Sequence, residues 1–203
     1  MANWINQKLI EEKNIIELHR QFMANKPFKH VVIRKFLKKE RADELLKALR
    51  KEKFYEKESD LFSFKQTQDL HHTKNKTLMG FVELLTSREF SEFVMDVSGI
   101  KVQAGAFDLS GTLYESCDYL LCHDDELEGR KIAYIYYLSD LEEEDGGALA
   151  FLGDNSGKPG RVERMHYPEY NSLVFFEVSK ESWHEVQEVL SKKKRYAIGG
   201  WLH

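Results

Sequence analysis

Apolar positions recur at helical spacing through the first hundred residues and at strand spacing after them. Between residues 5 and 23, Ile15, Leu18 and Phe22 fall on one side of a helix, since residues three and four apart stack on one face. Ala42, Leu45, Leu46 and Leu49 repeat the offsets i, i+3, i+4 and i+7, as do Leu78, Phe81, Val82 and Leu85, and again Phe90, Phe93, Val94 and Val97. Thr86 and Glu89 have the spacing of a capping box, and Gly99 stands where a left-handed C-cap belongs, so the last two runs predict two short helices. Residues 28–36 are the exception in this half, a strand rich in β-branched side chains.

From Lys101 onward the period shortens. Residues 102–109, 119–123, 131–138, 148–152, 173–178, 185–190 and 195–202 are short apolar or alternating runs, separated by turn chemistry such as Asp145-Gly146-Gly147 and Asn155-Ser156-Gly157. Many short strands at close spacing predict a sandwich or barrel. The expected fold is α+β: a double-stranded β-helix of the jelly-roll, cupin-like type with supporting N-terminal helices. No internal repeat, low-complexity tract or second-domain boundary interrupts it, so 1–203 reads as one domain. Residues 1–100 form mostly helical support and a substrate loop, and 101–203 form the β-helix core.

Composition fits an enzyme of this size. A hydrophobic fraction of 42%, with 13 Phe and 9 Tyr, is enough for a sizeable core, and three prolines with twelve glycines argue against a linker-rich chain. The net charge of −4 gives no general attraction to nucleic acid or to anionic membrane. No apolar run approaches the roughly 20 residues needed to span a bilayer, and the N-terminus lacks a signal peptide's apolar stretch. Cys117 and Cys122 would point to opposite faces of a regular strand, which disfavours a bridge and fits a reducing, cytoplasmic compartment.

Candidate chemistry centres on Cys122-His123-Asp124-Asp125-Glu126. If this segment is a strand, His123 and Asp125 project from one face and Asp124 from the other. His184, after the buried-strand pattern 173–178, would supply a second imidazole and complete a 2-His-1-carboxylate facial triad, which leaves positions open on non-heme Fe(II). Arg195 follows eleven positions later, a spacing that suits two neighbouring antiparallel strands. Its planar fork matches a carboxylate, so it would bind the far end of 2-oxoglutarate while the keto-acid end chelates iron. Each piece alone has a plainer reading. His-Asp-Asp-Glu fits a solvated acidic turn, and Arg195 closes the basic run Lys192-Lys193-Lys194 at a hairpin tip.

The stretch from Leu120 through Cys122-His123-Asp124-Asp125-Glu126 to Arg130, with Leu173-Val174-Phe175-Phe176-Glu177-Val178-Ser179 and Gly200-Trp201-Leu202-His203, resembles the 2-oxoglutarate- and Fe(II)-dependent prolyl hydroxylases that act on a small-subunit ribosomal protein at the decoding centre. The resemblance extends upstream through Asp60-Leu61-Phe62-Ser63-Phe64-Lys65-Gln66-Thr67. It implies Fe(II) as cofactor on His123, Asp125 and His184, 2-oxoglutarate and O2 as co-substrates, and ascorbate as reductant. Arg195 is then the ligand of the C5 carboxylate, with Tyr137 and Tyr114 at the same pocket, although aromatic residues in an apolar strand usually just pack. Residues 64–76 resemble the family's mobile loop over the peptide. The implied partner is a proline-bearing protein or peptide, with no direct nucleic-acid or membrane contact. A dioxygenase of another peptide or a free amino acid, and a non-catalytic β-helix binding module, are the alternatives.

Two departures stand out. Where the family often has a serine two residues after its arginine, this chain has Ala197, and the family's eukaryotic members carry a second β-helix domain beyond the Gly-Trp segment. Of the other histidines, His19, His30, His71, His72 and His166 have no partner at ligand spacing. Glu142-Glu143-Glu144-Asp145 lacks the alternating oxygen ligands of a calcium loop. Trp183 and Trp201 flank the motif and read as core, or as lining for a substrate groove.

Overall fold

A computed structural model describes residue 1 and residues 3–203. Helices α1 (Glu12–Ala24), α2 (Lys39–Leu49), α3 (Lys76–Leu85) and α4 (Arg88–Ser98) fall on the four periodic runs. The pattern before α1 is taken up by a 3-10 turn, Gln7–Ile10, capped by the Asn6 side chain. Gly99 caps α4 in the left-handed conformation, φ 72°, which glycine adopts without a Cβ penalty. The expected capping box shifts by one residue. Ser87, not Thr86, accepts the N–H of Phe90, while Thr86 donates its hydroxyl to the Val82 carbonyl at the end of α3.

Eleven strands are present among the described residues: β1 (His30–Ile33), β2 (Tyr55–Ser59), β3 (Phe62–Gln66), β4 (Ser110–Tyr114), β5 (Tyr119–His123), β6 (Ile132–Tyr137), β7 (Leu149–Asp154), β8 (Pro159–His166), β9 (Ser172–Glu177), β10 (His184–Val186) and β11 (Arg195–Leu202). They pair antiparallel in the order β1-β9-β6-β11-β4-β3-β5-β10-β7-β8, with β2 hydrogen-bonded to β3. Strand β3 is the hinge of this curled sheet. Its Lys65 and Gln66 pair with β4 and its Phe62 and Ser63 with β5, so it joins a five-stranded arm to a four-stranded one. The arms close into the jelly-roll half-barrel expected for a double-stranded β-helix.

Strict alternation along the strands divides the core in two. Tyr196, Ile198 and Leu202 of β11, with Tyr134 and Tyr136 of β6, pack outward against Leu18, Phe22, Leu45, Leu49, Phe81 and Phe93 of the helices. Ala197 of β11 and Ala133 and Tyr137 of β6 point inward, where they meet Leu149, Phe151 and Val186 of the other arm. The helices thus seal one face of the five-stranded arm and leave its other face to build a site.

Two expected strands are corrected. Residues 102–109 form no strand and make only an isolated bridge, Phe107 to Leu202. The run 185–190 contributes only its first residues to β10, because Val189 leaves the ladder and bonds instead to the turn at Cys117 and Asp118. Strands β2 and β8 were invisible to alternation because β2 is exposed throughout and β8 nearly so; with no buried face, neither needs an apolar period. Residues 64–76 begin within β3 and run through a 3-10 turn, Leu70–His72, to α3. Thr67 and Leu70 donate backbone N–H groups to Gly111 and Leu109, which fastens the segment along β4. No helix among the described residues is long and apolar enough to cross a membrane.

At one end of the inner core, His30 and His166 stack edge-on with centroids 5.1 Å apart, both against Phe151. His30 donates from Nδ1 to the Phe28 carbonyl, while His166 Nε2 is buried with no partner among the described residues. Burial, with Arg164 nearby and, for His166, the facing His30 ring, pushes each imidazole down to about 4. Above pH 6.5 both rings are neutral in the folded and unfolded chain alike. Between 6.5 and 4 the unfolded chain takes up protons that the folded one refuses, so stability falls as pH drops through that window. We expect the pair to remove on the order of 2 kcal/mol per ring by pH 4.5. Urea unfolding should show a smaller acid loss for His166→Phe than for the parent; equal losses would contradict this.

Candidate active site

Strands β5 and β10 are neighbours in register, His184 opposite His123. Each imidazole is fixed in the same local way. His123 Nδ1 lies 2.8 Å from the Leu121 carbonyl and His184 Nδ1 2.8 Å from the Ser182 carbonyl, in each case two residues back. A carbonyl only accepts, so both Nδ1 atoms carry the proton and both Nε2 atoms present lone pairs. Ser182 is itself held, its hydroxyl bonding Asp124 O and Ser179 O.

The third member arrives differently from the strand-alternation expectation. Strand β5 ends at His123, and Asp125 lies beyond it in the left-handed region, φ 62°. A non-glycine residue held there is strained and persists only where its surroundings impose it. The turn swings the carboxylate between the rings. Asp125 Oδ1 is 3.5 Å from His123 Nε2 and Oδ2 is 3.3 Å from His184 Nε2. One ligand atom from each residue lies within 4.8 Å of the others, the sole such grouping of three among the described residues.

Electrostatics keeps the set in its ligating forms. Burial, then the facing His184, pushes His123 below the ordinary imidazole range. Burial alone would raise the Asp125 carboxyl, but His184 and His123, whenever they are protonated, and the Trp201 indole outweigh it and hold it low. Two neutral imidazoles and one carboxylate, gathered on one side, suit a first-row divalent metal with open positions. The donor set therefore fits Fe(II).

Arg195 enters from the opposite arm. Strands β10 and β11 are not neighbours, contrary to the spacing argument: β10 lies between β5 and β7, and β11 between β6 and β4. Arg195 is 1% exposed, yet no carboxylate among the described residues pairs with it. Its Nε donates to the Gly147 carbonyl at 2.9 Å and Nη2 to the Tyr137 hydroxyl at 3.3 Å. The guanidinium carbon sits 4.8 Å from the Tyr114 ring centroid and 5.0 Å from that of Tyr137. Gly147 is left-handed at φ 70°, and a Cβ there would press on Leu141, Val189 and Arg195 itself. Burial raises both tyrosine hydroxyls, more than Arg195 lowers them, so both remain proton donors.

His123, Asp125, His184, Tyr114 and Arg195 all line one cavity of about 130 Å³, walled by apolar side chains such as Leu149, Phe176 and Val186. Tyr137 touches Arg195 without lining it. Motif reasoning missed several residues of this cavity. Phe64 of β3 stacks on Tyr114, centroids 5.0 Å apart and planes at 14°. Thr112 stands opposite Ala197 in the β4–β11 register and brings a hydroxyl to the cavity beside Arg195's strand. Trp201, read from the sequence as core or groove lining, does line it, with Arg130 stacked 3.4 Å from its ring centroid. Inward phase on β3, β4 and β11 was the available signal, but it required knowing that β3 is a strand. His71 pairs instead with Asp69, and Trp183 with Asp154.

Comparison with known proteins agrees with this geometry. Residues 109–203 match the 2OG-Fe(II) oxygenase superfamily. Prolyl 3-hydroxylase OGFOD1 of Xenopus laevis is 39% identical over 181 residues, covering 87% of this chain and 35% of that protein. Prolyl 3-hydroxylase sudestada1 of Drosophila melanogaster is 30% identical over 217 residues, covering 100% and 40%. The chain thus spans about a third of the length of the curated relatives it matches. In fold it is similar to a Pseudomonas putida prolyl-4-hydroxylase, with TM-score 0.73 at 16% identity, covering 92% of this chain and 98% of that one. A Trichoplax adhaerens prolyl hydroxylase, solved with a hypoxia inducible factor peptide, gives TM-score 0.70 at 14% identity, covering 97% and 95%.

A buried guanidinium without a carboxylate is a liability until an anion arrives. Arg195→Met is therefore expected to leave the ligand-free protein within about 1 kcal/mol of the parent, or more stable. At a hundredfold excess of 2-oxoglutarate over its Kd, the parent should gain roughly 2.7 kcal/mol and the variant almost nothing. Thermal unfolding with and without 2-oxoglutarate reads both; equal gains would remove Arg195 from the site.

Proposed function

The chain belongs to the 2OG-Fe(II) oxygenase superfamily, and from that premise we propose that it is an Fe(II)- and 2-oxoglutarate-dependent dioxygenase that hydroxylates a prolyl residue in a protein. The observation that carries this reading is the union, in one cavity, of the His123, Asp125, His184 grouping with a buried Arg195 that has no acidic partner among the described residues. The two anchors suit one molecule with an oxo-acid group at one end and a carboxylate at the other. A small-subunit ribosomal protein is the proposed substrate, on the strength of the sequence resemblance around the metal motif. The names of the curated relatives support the prolyl target. A cytoplasmic location and ascorbate as external reductant belong to the same proposal.

His123 and His184 would hold the metal through Nε2, each ring locked by its backbone carbonyl, and Asp125 through a carboxylate oxygen. Arg195 takes the C5 carboxylate of 2-oxoglutarate. Tyr137, accepting from Nη2, has its own proton free to donate, and Tyr114 offers a second buried hydroxyl over the guanidinium. Fe(II), when bound, supplies the redox chemistry that couples O2 and 2-oxoglutarate to succinate, CO2 and conversion of a C–H bond to C–OH. The apolar walls keep bulk water from the reacting centre. No side chain acts as nucleophile or carries a proton away, so the protein's part is positioning. Phe64, on the β2–β3 hairpin, stacks over Tyr114 and is placed to contact a peptide at the cavity's rim.

Mass spectrometry for a +16 product on a proline-bearing ribosomal peptide, with succinate measured alongside, tests the assignment. Asp125→Ala is expected to lose metal binding and reduce succinate formation by at least about a hundredfold. Near-normal turnover by that variant would sink the assignment. Succinate without peptide product would point to another substrate, and no succinate at all to a binding module.

A further inference from the structure

The histidines of the metal grouping are each anchored by a backbone carbonyl, but Asp125 has no such anchor. It stands beyond the end of β5, and its carboxylate accepts no backbone hydrogen bond among the described residues. Two side chains approach it from outside the grouping. Arg130 Nη1 lies 3.7 Å from Asp125 Oδ1, and Arg130's guanidinium is laid flat over Trp201, 3.4 Å from the ring centroid. The Trp201 indole N–H is buried with no hydrogen-bond partner among the described residues, and Trp201 lines the same cavity as Asp125. A buried indole N–H normally finds an acceptor.

The chain is shaped to allow this contact. After Asp125 it turns back, with the Arg130 N–H bonded to the Leu127 carbonyl and Gly129 at φ 89°. A Cβ on Gly129 would lie 3.2 Å from His203 Nδ1. Trp201 belongs to β11 in the five-stranded arm, whereas Asp125 follows β5 in the other arm. The Arg130–Trp201 stack therefore sits on the five-stranded arm, Arg130 standing two residues before β6, and Arg130 reaches from there to Asp125 of the other arm. The planar face of Arg130 is essential to such a stack, and lysine does not reproduce it.

We propose that Trp201 and Arg130 act together as positioning residues for Asp125: the indole N–H and the guanidinium hold the carboxylate from outside, doing for it what the Leu121 and Ser182 carbonyls do for the two imidazoles. Holding one oxygen from outside favours a carboxylate that gives the metal a single oxygen, so that positions stay open for the co-substrates. The inference rests on the metal reading of His123, Asp125 and His184.

The test is binding of Mn(II) to the full chain, read from the electron paramagnetic resonance signal of the free ion, together with far-UV circular dichroism and the Tm of the metal-free protein. Trp201→Phe keeps a ring for Arg130 to stack on and removes the N–H. Arg130→Lys keeps the charge and removes the planar stack, so simple repulsion between cation and metal is unchanged. Each variant is expected to keep the metal-free Tm within a few degrees and to raise the Mn(II) Kd about tenfold. Should Trp201→Phe fail to fold, Arg130→Lys alone decides, its side chain being partly solvent-exposed. Affinities within twofold of the parent would overturn the brace while leaving the metal site standing. A parent chain that binds no Mn(II) would overturn the metal reading, and the brace with it.

Discussion

A positive charge sealed inside the half-barrel sets the terms for the rest of the structure. Arg195 begins β11, the strand that lies between β4 and β6 and whose outward residues carry the helices. Its guanidinium is satisfied only by neutral groups, a carbonyl held out by left-handed Gly147, a tyrosine hydroxyl and two ring faces. Neutral partners soften the desolvation of a cation without cancelling it. The remaining demand for an anion is aimed into the same cavity that the His123, Asp125, His184 grouping lines. The cavity thus presents a buried cation and the three-residue grouping together before any ligand is considered.

The metal grouping depends on the opposite arm in a comparable way. Antiparallel pairing of His123 with His184 places two rings side by side, 4.2 Å between centroids. Burial, and then the facing ring of His184, holds His123 below the ordinary imidazole range. Asp125 supplies the only charge of the three, from a strained turn. On the proposed reading one arm would hold the metal and the other the far carboxylate, with β3 tying them together and Phe64 on it stacking on Tyr114.

Much of this was legible in the sequence because burial imposes a period. α2, α3, α4, β6, β9 and β11 each bury one face or both, and each appeared near its expected position. What burial does not constrain was not legible: β2 and β8 are exposed and show no apolar alternation. The chemistry of His123, Asp125 and His184 was visible as residue types, while its geometry was not, since a left-handed Asp125 replaces strand alternation. Arg195 was placed on the right strand by the apolar run that follows it but beside the wrong neighbour, because sequence proximity of β10 and β11 does not make them sheet neighbours. Thr112, opposite Ala197, and the Arg130–Trp201 stack depend on register and on a turn, neither of which leaves a local pattern.

The central claim is that metal and dicarboxylate share one cavity and one ligand. Its most direct test is the affinity of the parent chain for 2-oxoglutarate, measured calorimetrically under anaerobic conditions with and without Mn(II). If the keto-acid end meets the metal at His123, Asp125 and His184 while Arg195 holds the far end, the metal should tighten binding by at least about tenfold, and 2-oxoglutarate should tighten Mn(II) by the same factor. Identical affinities in the presence and absence of metal would contradict the account.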